Sequence, residues 1–272
     1  RRLRWHCCHH EQACAMAAEG YFRVHHRPAL VNVTTGPGGT NAITGVYGAF
    51  VDSIAMVVVS GQVKWETTVR STNLPLRQLG DQEIDIVKMV APVTKYAVMV
   101  DDPAKVRYHL ERALHLAVSG RPGPVWLDVP MNVQGAKVDP DTLQGYDPRE
   151  DAPVWEGPAL AAQVRALYDR LAVAERPCVL VGNGVNLAGC VGVFREWVEA
   201  LGIPVTTGFS AHDVIASSHP LNIGRQGTIG DRAGNFAVQN SDLLIVLGAR
   251  LTIRQISYGW HNFARAAWKV MV

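Results

Sequence analysis

The strongest structural signal in the chain is the sequence Val31-Asn-Val-Thr-Thr-Gly-Pro-Gly-Gly-Thr-Asn41. β-Branched residues alternate with polar ones over its first five positions, which predicts a strand. Gly36, Gly38 and Gly39 then predict a turn that no bulky side chain could follow, and Asn41 begins a helical pattern. A strand that passes through glycines into a helix presents backbone N–H groups and the positive end of the helix dipole to a ligand. The pattern indicates a ligand site or, alternatively, an ordinary tight connection.

Strand and helix patterns alternate along the rest of the chain. Apolar runs such as Ile54–Ser60 and Cys178–Val181 suit strands buried on both faces, and amphipathic segments such as 103–119 lie between them. Polar residues from Trp65 to Gly80 predict a long functional loop, after which Gln82–Met89 resumes helical periodicity. This alternation predicts an α/β fold of two doubly wound domains with mostly parallel sheets.

The boundary between the two domains follows from a shift in composition. Between residues 139 and 158, Pro, Asp, Glu and Gly replace the large apolar residues that occur on either side. Such a stretch is typical of an interdomain linker. We therefore predict a first domain over residues 1–140, a linker over 141–158 and a second domain over 159–272.

The overall composition is that of an ordinary globular protein. The 272 residues are 48% hydrophobic and 18% charged, with a formal net charge of +2 and scattered lysines and arginines. These values give no indication of a nucleic-acid partner or an anionic membrane. The longest apolar run, Ile54–Val59, falls well short of the ~18 residues that a membrane span needs.

The cysteines and histidines indicate a reducing compartment and no metal site. Five cysteines without regular spacing argue against a disulfide framework, and no signal-peptide pattern is visible. His6-Cys-Cys-His-His10 contains ligand types for a metal, but adjacent residues cannot easily surround one tetrahedral ion. We predict a cytoplasmic protein, with an organellar location left open.

Several motifs follow one another in the first half of the chain. They are His10-Glu-Gln12, Ala17-Ala-Glu-Gly-Tyr-Phe-Arg23, Thr35-Gly-Pro-Gly-Gly-Thr-Asn41, Ala49-Phe-Val-Asp-Ser53, Ser60-Gly-Gln62, Gln82-Glu-Ile-Asp-Ile-Val87, Thr94-Lys95, Arg121-Pro-Gly-Pro-Val125 and Asp128-Val-Pro130. The series resembles the pyrimidine-binding domain of the thiamine diphosphate-dependent carboligases and decarboxylases. In the second half, the residues that resemble the central domain of acetolactate synthase catalytic subunits are Gly227, Asn235, Ser241-Asp-Leu-Leu244, Gly248-Ala-Arg250 and Arg254.

The resemblance implies a thiamine diphosphate-binding fold followed by a Rossmann-like central domain. Family members usually carry a third domain, in which a Gly-Asp-Gly motif and a downstream Asn bind Mg²⁺ and the diphosphate. That pattern is absent from the sequence, so the resemblance predicts an incomplete first domain, a truncated second domain and magnesium ligands in a missing third domain. It also implies a homodimer or homotetramer, because the family's active site lies between two subunits. We expect the fragment alone to be inactive.

The resemblance gives Glu11 the central catalytic role. In the family, the matching glutamate hydrogen-bonds N1′ of the aminopyrimidine and favours the imino tautomer, whose nitrogen removes the C2 proton of the thiazolium. This chemistry needs a carboxylic acid in a largely apolar cleft, where burial raises its pKa. Alternatively, Glu11 is only a favourable acid in the first turn of a helix.

The resemblance also suggests further contacts with the cofactor. The residues expected to form the wall above the pyrimidine ring are Gly36, Pro37, Gly38 and Asn41. Gln62 is expected to point toward the cofactor cleft, and Gln82 to lie near the active site with an amide able to contact substrate or flavin. A packing turn is the alternative for the glycines.

A flavin is implied by the resemblance to acetolactate synthases, whose central domain holds FAD without a redox role in the main reaction. Arg250 and Arg254 are suited to meet its phosphate or ribityl oxygens. However, Leu251-Thr-Ile253 stands where the family has Phe-Asp-Asp, and Gly224-Arg-Gln-Gly227 where it has Gly-Met-His-Gly. Flavin binding therefore stays open, as does acetolactate synthase activity in the strict sense.

The sequence predicts a carboligase that decarboxylates a 2-keto acid and transfers the acyl unit to a second carbonyl compound. A 2-keto acid decarboxylase or a diketone hydrolase of the same superfamily is the nearest alternative. A non-catalytic binding module is an alternative of a different class. An NAD-dependent dehydrogenase is disfavoured, because Gly36-Pro-Gly38 followed by Asn41 lacks the G-x-G-x-x-G spacing.

Overall fold

Two β-sheets organise the chain. The computed structural model describes residues 4–152 and 157–272, and contacts between residues divide the chain into two units, Arg1–Pro153 and Val154–Val272. All strand pairs of the described residues are parallel, which confirms the predicted α/β class. In that part of the chain, no helix combines the length and the apolar character that crossing a membrane requires.

The first unit contains a four-stranded sheet in the order β1-β2-β4-β3. Its strands are β1 (Ala29–Val33), β2 (Met56–Gln62), β3 (Tyr96–Met99) and β4 (Pro124–Pro130). Its helices are α1 (Glu11–His25), α2 (Pro37–Val51), α3 (Ile86–Val90), α4 (Val106–Val118) and α5 (Met131–Gln134). Residues of β2 and β4 are buried on both faces of the sheet, so these two strands form its centre.

Small residues bring α1 and α2 into close contact. A Cβ atom added to Gly45 would lie only 2.6 Å from the Cβ of Ala15, and Ala15 and Ala42 are fully buried. Larger side chains at this contact would force the two helices apart. The contact positions the first turns of the two helices so that Glu11 and Asn41, 30 positions apart, form a hydrogen bond.

The second helix begins earlier than the sequence pattern predicts. It begins at Pro37 rather than at Asn41. Proline suits the first turn of a helix, because its φ is already helical and its missing N–H has no partner there. Gly36 precedes it with φ 55° and ψ −112°, a conformation that only glycine adopts readily.

The helix predicted over Gln82–Met89 is shorter in the structure. Gln82 has φ 58°, in the left-handed region, and α3 spans only Ile86–Val90. The Asp85 side chain accepts a hydrogen bond from the backbone N–H of Lys88 and caps this helix. The helical periodicity of the sequence therefore predicts the start of this helix at Gln82, whereas the helix begins at Ile86.

Glu83 organises the loop that precedes α3. Its carboxylate accepts hydrogen bonds from the backbone N–H groups of Val69, Leu79 and Gly80, at 2.6, 3.0 and 3.1 Å. Two short 3₁₀ helices lie at the beginning of this loop, Trp65–Thr67 and Val69–Ser71. The polar segment 65–80 is thus an ordered loop held by one side chain.

Part of the predicted linker packs on the first unit. Arg112 of α4 donates two hydrogen bonds to the carboxylate of Asp151, at 2.8 and 2.9 Å. The Tyr146 hydroxyl donates to the same carboxylate at 2.8 Å. The Arg112 guanidinium lowers the pKa of Asp151. The division between the units, at residues 153 and 154, falls inside the predicted linker 141–158.

The second unit contains a five-stranded sheet in the order β7-β6-β5-β8-β9. Its strands are β5 (Pro177–Val181), β6 (Val205–Thr207), β7 (Asn222–Arg225), β8 (Leu243–Leu247) and β9 (Trp268–Met271). Its helices are α6 (Gly157–Leu171), α7 (Gly184–Leu187), α8 (Val191–Leu201), α9 (Arg232–Asn240) and α10 (Ile253–Ile256). The chain extends the sheet first on one side of β5 and then on the other, which is the doubly wound arrangement.

Both faces of the second sheet are covered. In β5, Val179 and Val181 pack in one buried cluster, while Cys178 and Leu180 pack in another on the opposite face. Alternate residues of a strand point to opposite faces, so the continuous apolar run of β5 serves two cores at once.

Candidate functional site

Two loops meet where β1 and β2 end. Gly36 follows β1, and a Cβ atom added to it would lie 2.1 Å from the backbone oxygen of Gln82. That distance is shorter than any real contact of a Cβ atom, so residue 36 must be glycine for sterics as well as for its φ. The glycine-rich loop after β1 and the loop that carries Gln82 are therefore in direct backbone contact.

Glu11, Gly38 and Asn41 come together beside this contact. The Nδ2 amide of Asn41 donates a hydrogen bond of 3.0 Å to Oε2 of Glu11. A Cβ atom added to Gly38 would lie 2.7 Å from Cγ2 of Thr34 and 3.7 Å from Oε1 of Glu11, so the backbone at Gly38 packs against Thr34 and passes close to this carboxylate. The ring Nδ1 of His10 accepts the N–H of Gln12 and caps α1. His10 is thus the N-cap of α1, and Glu11 is the acid of its first turn, so the alternative role of Glu11 beside the helix dipole stays open.

The ionisation of Glu11 differs from the expectation. Its pKa lies below its ordinary value, chiefly because Asn41 donates a hydrogen bond to the ionised carboxylate. From the resemblance, we expect burial in an apolar cleft to raise this pKa. That expectation does not hold for the single chain, in which the carboxylate is partly exposed and burial has only a minor effect.

Gln62 lies inside the sheet edge rather than in an open cleft. Its Oε1 accepts hydrogen bonds from the Thr35 hydroxyl at 2.7 Å and from the Val63 N–H at 3.0 Å. Its Nε2 donates to the backbone oxygen of Ile84 and to Oδ2 of Asp128, both at 3.0 Å. All four hydrogen-bonding positions of the amide are occupied, so this side chain holds the site's loops together.

Asp128, which the sequence analysis did not select, is the centre of this network. It is fully buried in β4, and its Oδ1 accepts a hydrogen bond of 2.6 Å from the Ser60 hydroxyl. The indole N–H of Trp126 donates to the same hydroxyl at 2.8 Å. Burial raises the pKa of Asp128 to about 6, against the lowering effect of its two donors. A lone acid inside the apolar run 125–129 was the available signal.

The raised pKa of Asp128 makes the stability of the first unit pH-dependent. An acid whose pKa is higher in the folded state binds more protons there, so stability falls as pH rises from about 4 to about 6. A shift of about two pH units corresponds to about 3 kcal/mol. We expect the unfolding free energy of the wild type, relative to that of Asp128→Asn, to fall by about 3 kcal/mol between pH 4 and pH 7. Urea unfolding of both proteins from pH 4 to 7 measures it, and parallel curves would contradict the assignment.

Pro37 and Gln82 are the remaining predicted site residues of the first unit, and they lie in different elements. Pro37 is the first residue of α2, where it fixes the direction in which the helix leaves the glycine-rich loop. Gln82 is exposed, with a left-handed backbone and a carbonyl oxygen that lies against Gly36. The structure thus gathers Glu11, Gly38 and Asn41 closely and places Gln82 on the adjoining loop.

Glycines dominate the point where the strand order of the second sheet reverses. The turns after β5 and β8 meet there, and the N–H of Gly184 donates to the backbone oxygen of Gly248 at 2.9 Å. A Cβ atom added to Gly182 would lie 2.2 Å from the same oxygen. The contact between the two turns therefore requires these glycines independently of any nucleotide.

Arg250 and Arg254 follow β8 and are both exposed. The backbone oxygen of Arg254 accepts the N–H of Thr228 at 2.8 Å, next to a cavity of about 220 Å³. Gln255 lines this cavity, and its buried Oε1 has no hydrogen-bond partner. This cavity is smaller than the ~300 Å³ at which small-molecule sites begin, and neither Arg250 nor Arg254 lines it.

The described residues do not supply a metal site either. Within 4–152 and 157–272, no group of three or more His, Cys, Asp and Glu side chains is placed to hold a metal ion.

Two family profiles match the chain. The thiamine pyrophosphate enzyme N-terminal TPP binding domain matches residues 1–89, and the thiamine pyrophosphate enzyme central domain matches residues 164–272. The chain belongs to the thiamine pyrophosphate enzyme family. Thiamine pyrophosphate is another name for thiamine diphosphate, so the family inferred from the motifs is confirmed.

Curated relatives are named as acetolactate synthase large subunits. The chain is 34% identical over 250 residues to the acetolactate synthase large subunit of Lactococcus lactis, covering 91% of this chain and 41% of that protein. It is 35% identical over 247 residues to isozyme 2 of Escherichia coli, covering 91% and 42%. It is 36% identical over 247 residues to the protein of Corynebacterium glutamicum, covering 90% and 38%. The chain therefore spans about 40% of the length of these relatives.

Proposed function

We propose that this chain provides the pyrimidine-binding and central domains of a thiamine diphosphate-dependent, acetolactate synthase-like carboligase. The enzyme would decarboxylate a 2-keto acid and transfer the acyl unit to a second carbonyl compound. The observation that carries the proposal is the Glu11 carboxylate, held by Asn41 beside the backbone of Gly38 in the glycine-rich loop. The cofactor and the reaction class in this proposal are inferred from the family and from the named relatives.

The residues of this site divide the work between them. When bound, thiamine diphosphate supplies the nucleophilic carbon and the electron sink of the reaction. Oε1 of Glu11 would share a proton with N1′ of the aminopyrimidine, while the Asn41 amide keeps the carboxylate in one orientation. Gly36 and Gly38 let the glycine-rich loop pack against Gln82 and Thr34, which fixes the backbone that would face the ring. In this way the residues would bind the cofactor, orient the Glu11 carboxylate and hold a proton at its Oε1.

We infer that the active form contains two or more copies of the subunit. Glu11 is only partly buried in one chain, although its proposed chemistry requires an apolar surrounding. Large apolar side chains are exposed on the same two helices, Met16 and Tyr21 on α1 and Tyr47 and Phe50 on α2. A second subunit that covered these faces would exclude water from the site.

An assay of the complete protein encoded by the gene tests the proposed function. With pyruvate, thiamine diphosphate and Mg²⁺, we expect consumption of pyruvate that depends on the cofactor, with acetolactate as the product of carboligation. Acetaldehyde as the main product would favour the alternative decarboxylase. The chain of 272 residues alone is expected not to turn over pyruvate. Failure of the complete protein both to bind thiamine diphosphate and to consume any 2-keto acid would overturn the proposal and favour a binding module.

A further inference from the structure

One buried amide connects the two loops of the proposed site. The Oε1 of Gln62 accepts a hydrogen bond from Thr35, which immediately precedes Gly36, and its Nε2 donates to Ile84, in the loop that carries Gln82. The two loops meet directly at Gly36 and Gln82. The distance between them therefore depends on how the Gln62 side chain is oriented.

A carboxamide can occupy its site in two orientations that differ by a 180° flip, and Asp128 selects between them. A buried carboxylate with two donors is an acceptor only, so the NH₂ group of Gln62 must face it. The flipped amide would direct its oxygen at Asp128 Oδ2 and at the Ile84 oxygen. It would also direct its NH₂ at the N–H of Val63. Three hydrogen bonds would become repulsive contacts.

The carboxylate of Asp128 is itself fixed at both oxygens. Oδ2 accepts from Gln62, and Oδ1 accepts from Ser60, whose oxygen in turn accepts from the Trp126 indole. The charges that act on it from outside the network are Asp85, which raises its pKa, and Arg70, which lowers it. The carboxylate therefore has no freedom to rotate away from the amide.

Thr35 transmits this orientation to the cofactor loop. Its hydroxyl is the donor to Gln62, and its backbone oxygen accepts the N–H of Gly38 at 3.3 Å in the first turn of α2. Gly38 lies beside the Glu11 carboxylate. Asp128, Gln62 and Thr35 thus form an unbroken chain of contacts from the core of the sheet to the site.

We propose that Asp128 is a positioning residue of the thiamine diphosphate site, acting through the Gln62 amide on the glycine-rich loop and on the loop that carries Gln82. This inference rests on the proposed function. It assigns to a core strand residue, which touches neither cofactor nor substrate, control over the geometry in which the cofactor binds.

Two variants of the complete protein separate positioning from stability. In Asp128→Asn, the new amide can donate where the carboxylate accepted, so Gln62 loses its fixed orientation. We expect the Kd for thiamine diphosphate, measured by calorimetry, to rise about 10- to 100-fold, as when the residues that orient ligands are changed. Thr94→Val removes a buried hydroxyl of the same unit, which donates to the backbone oxygen of Val90 and lies outside this network. We expect its Kd, at pH 8, to stay within about threefold of the wild type, although its thermal stability falls.

A second pair of variants avoids the buried acid. Thr35→Val removes the hydroxyl that donates to Gln62 and keeps the side-chain shape, whereas Thr35→Ser keeps the hydroxyl. We expect Thr35→Val to raise the Kd about 10-fold and Thr35→Ser to leave it nearly unchanged. Amide hydrogen exchange without cofactor is an independent readout. We expect Asp128→Asn to accelerate exchange at Gly38 and Glu83 more than at the centre of β2.

The outcomes distinguish this inference from the function on which it rests. If the wild-type protein does not bind thiamine diphosphate, the proposed function fails. If it binds, but Asp128→Asn and Thr35→Val bind as tightly as the wild type, only the positioning role is overturned. Equal loss of affinity in Thr94→Val and Asp128→Asn would also overturn it, because disturbance of the core would then explain both.

Discussion

Glu11→Gln is expected to lower the turnover of a 2-keto acid by about 10²- to 10⁴-fold in the complete protein. Glutamine keeps the size of the side chain and an oxygen that can accept the Asn41 hydrogen bond. It cannot hold a proton at Oε1, so the proposed sharing with the aminopyrimidine is lost. We expect thiamine diphosphate to bind still, because the loop that faces its ring is unchanged. Steady-state turnover and calorimetric binding measure the two effects separately.

A matched control for this variant lies on the same helix. Glu19 pairs with Arg23 at the surface, at 2.7 Å, eight positions beyond Glu11 on α1. Exposed pairs of this kind contribute at most about 1 kcal/mol, so Glu19→Gln should retain the activity of the wild type. Turnover by Glu11→Gln within about threefold of that control would show that Glu11 has no catalytic role.

Gly36→Ala is expected to destabilise the first unit by about 3 kcal/mol or more. Residue 36 has φ 55° and ψ −112°, which costs a residue with a Cβ atom about 1–3 kcal/mol. The new Cβ would also lie 2.1 Å from the oxygen of Gln82, and overpacking adds about 1–3 kcal/mol. The clash is with backbone, so no side-chain rotation relieves it. Urea unfolding measures the loss, with amide exchange of β2 assigning the transition to the first unit.

The control for backbone effects is Gly20→Ala. Gly20 lies within α1, and a Cβ atom added there meets nothing within 4 Å. Alanine has the higher helix propensity, so this change should stabilise the protein by about 0.5–1 kcal/mol. A Gly36→Ala protein as stable as the wild type would mean that the two loops separate readily, and the site described here would lose its fixed geometry.

The parts of the structure that could be predicted from the sequence have a local cause. The run 54–60 is rich in β-branched residues and apolar up to Val59, and it forms the central strand β2, shifted by two residues. The glycines after Val33 predicted a turn that no bulky side chain could follow, because steric demands on a single residue are visible in the sequence, and Gly36 lies in that turn with φ 55°. The acid at position 11 was identified through neighbouring motifs rather than through any physical property of its own.

The parts that could not be predicted depend on partners distant in sequence. The helix predicted from Gln82 begins only at Ile86, and Glu83 instead lies in the preceding loop, where its carboxylate binds backbone N–H groups. Gln62 was expected to face a cleft, but its amide is occupied by partners 22 to 66 positions away. The short strand β7, interrupted by Gly224, gave no recognisable period at all. Such long-range hydrogen bonds leave no regular pattern along the chain.

The position of β4 has a consequence for synthesis on the ribosome. This strand is the last of the first unit to be translated, yet it lies between β2 and β3 in the sheet. Until residue 130 has emerged from the exit tunnel, β2 keeps one unpaired, apolar edge of the kind that promotes aggregation. Asp128 belongs to the same strand, so the hydrogen bond that orients Gln62 beside the glycine-rich loop forms only after β4 has emerged. We therefore expect the yield of folded protein to depend on chaperones that shield β2 during translation.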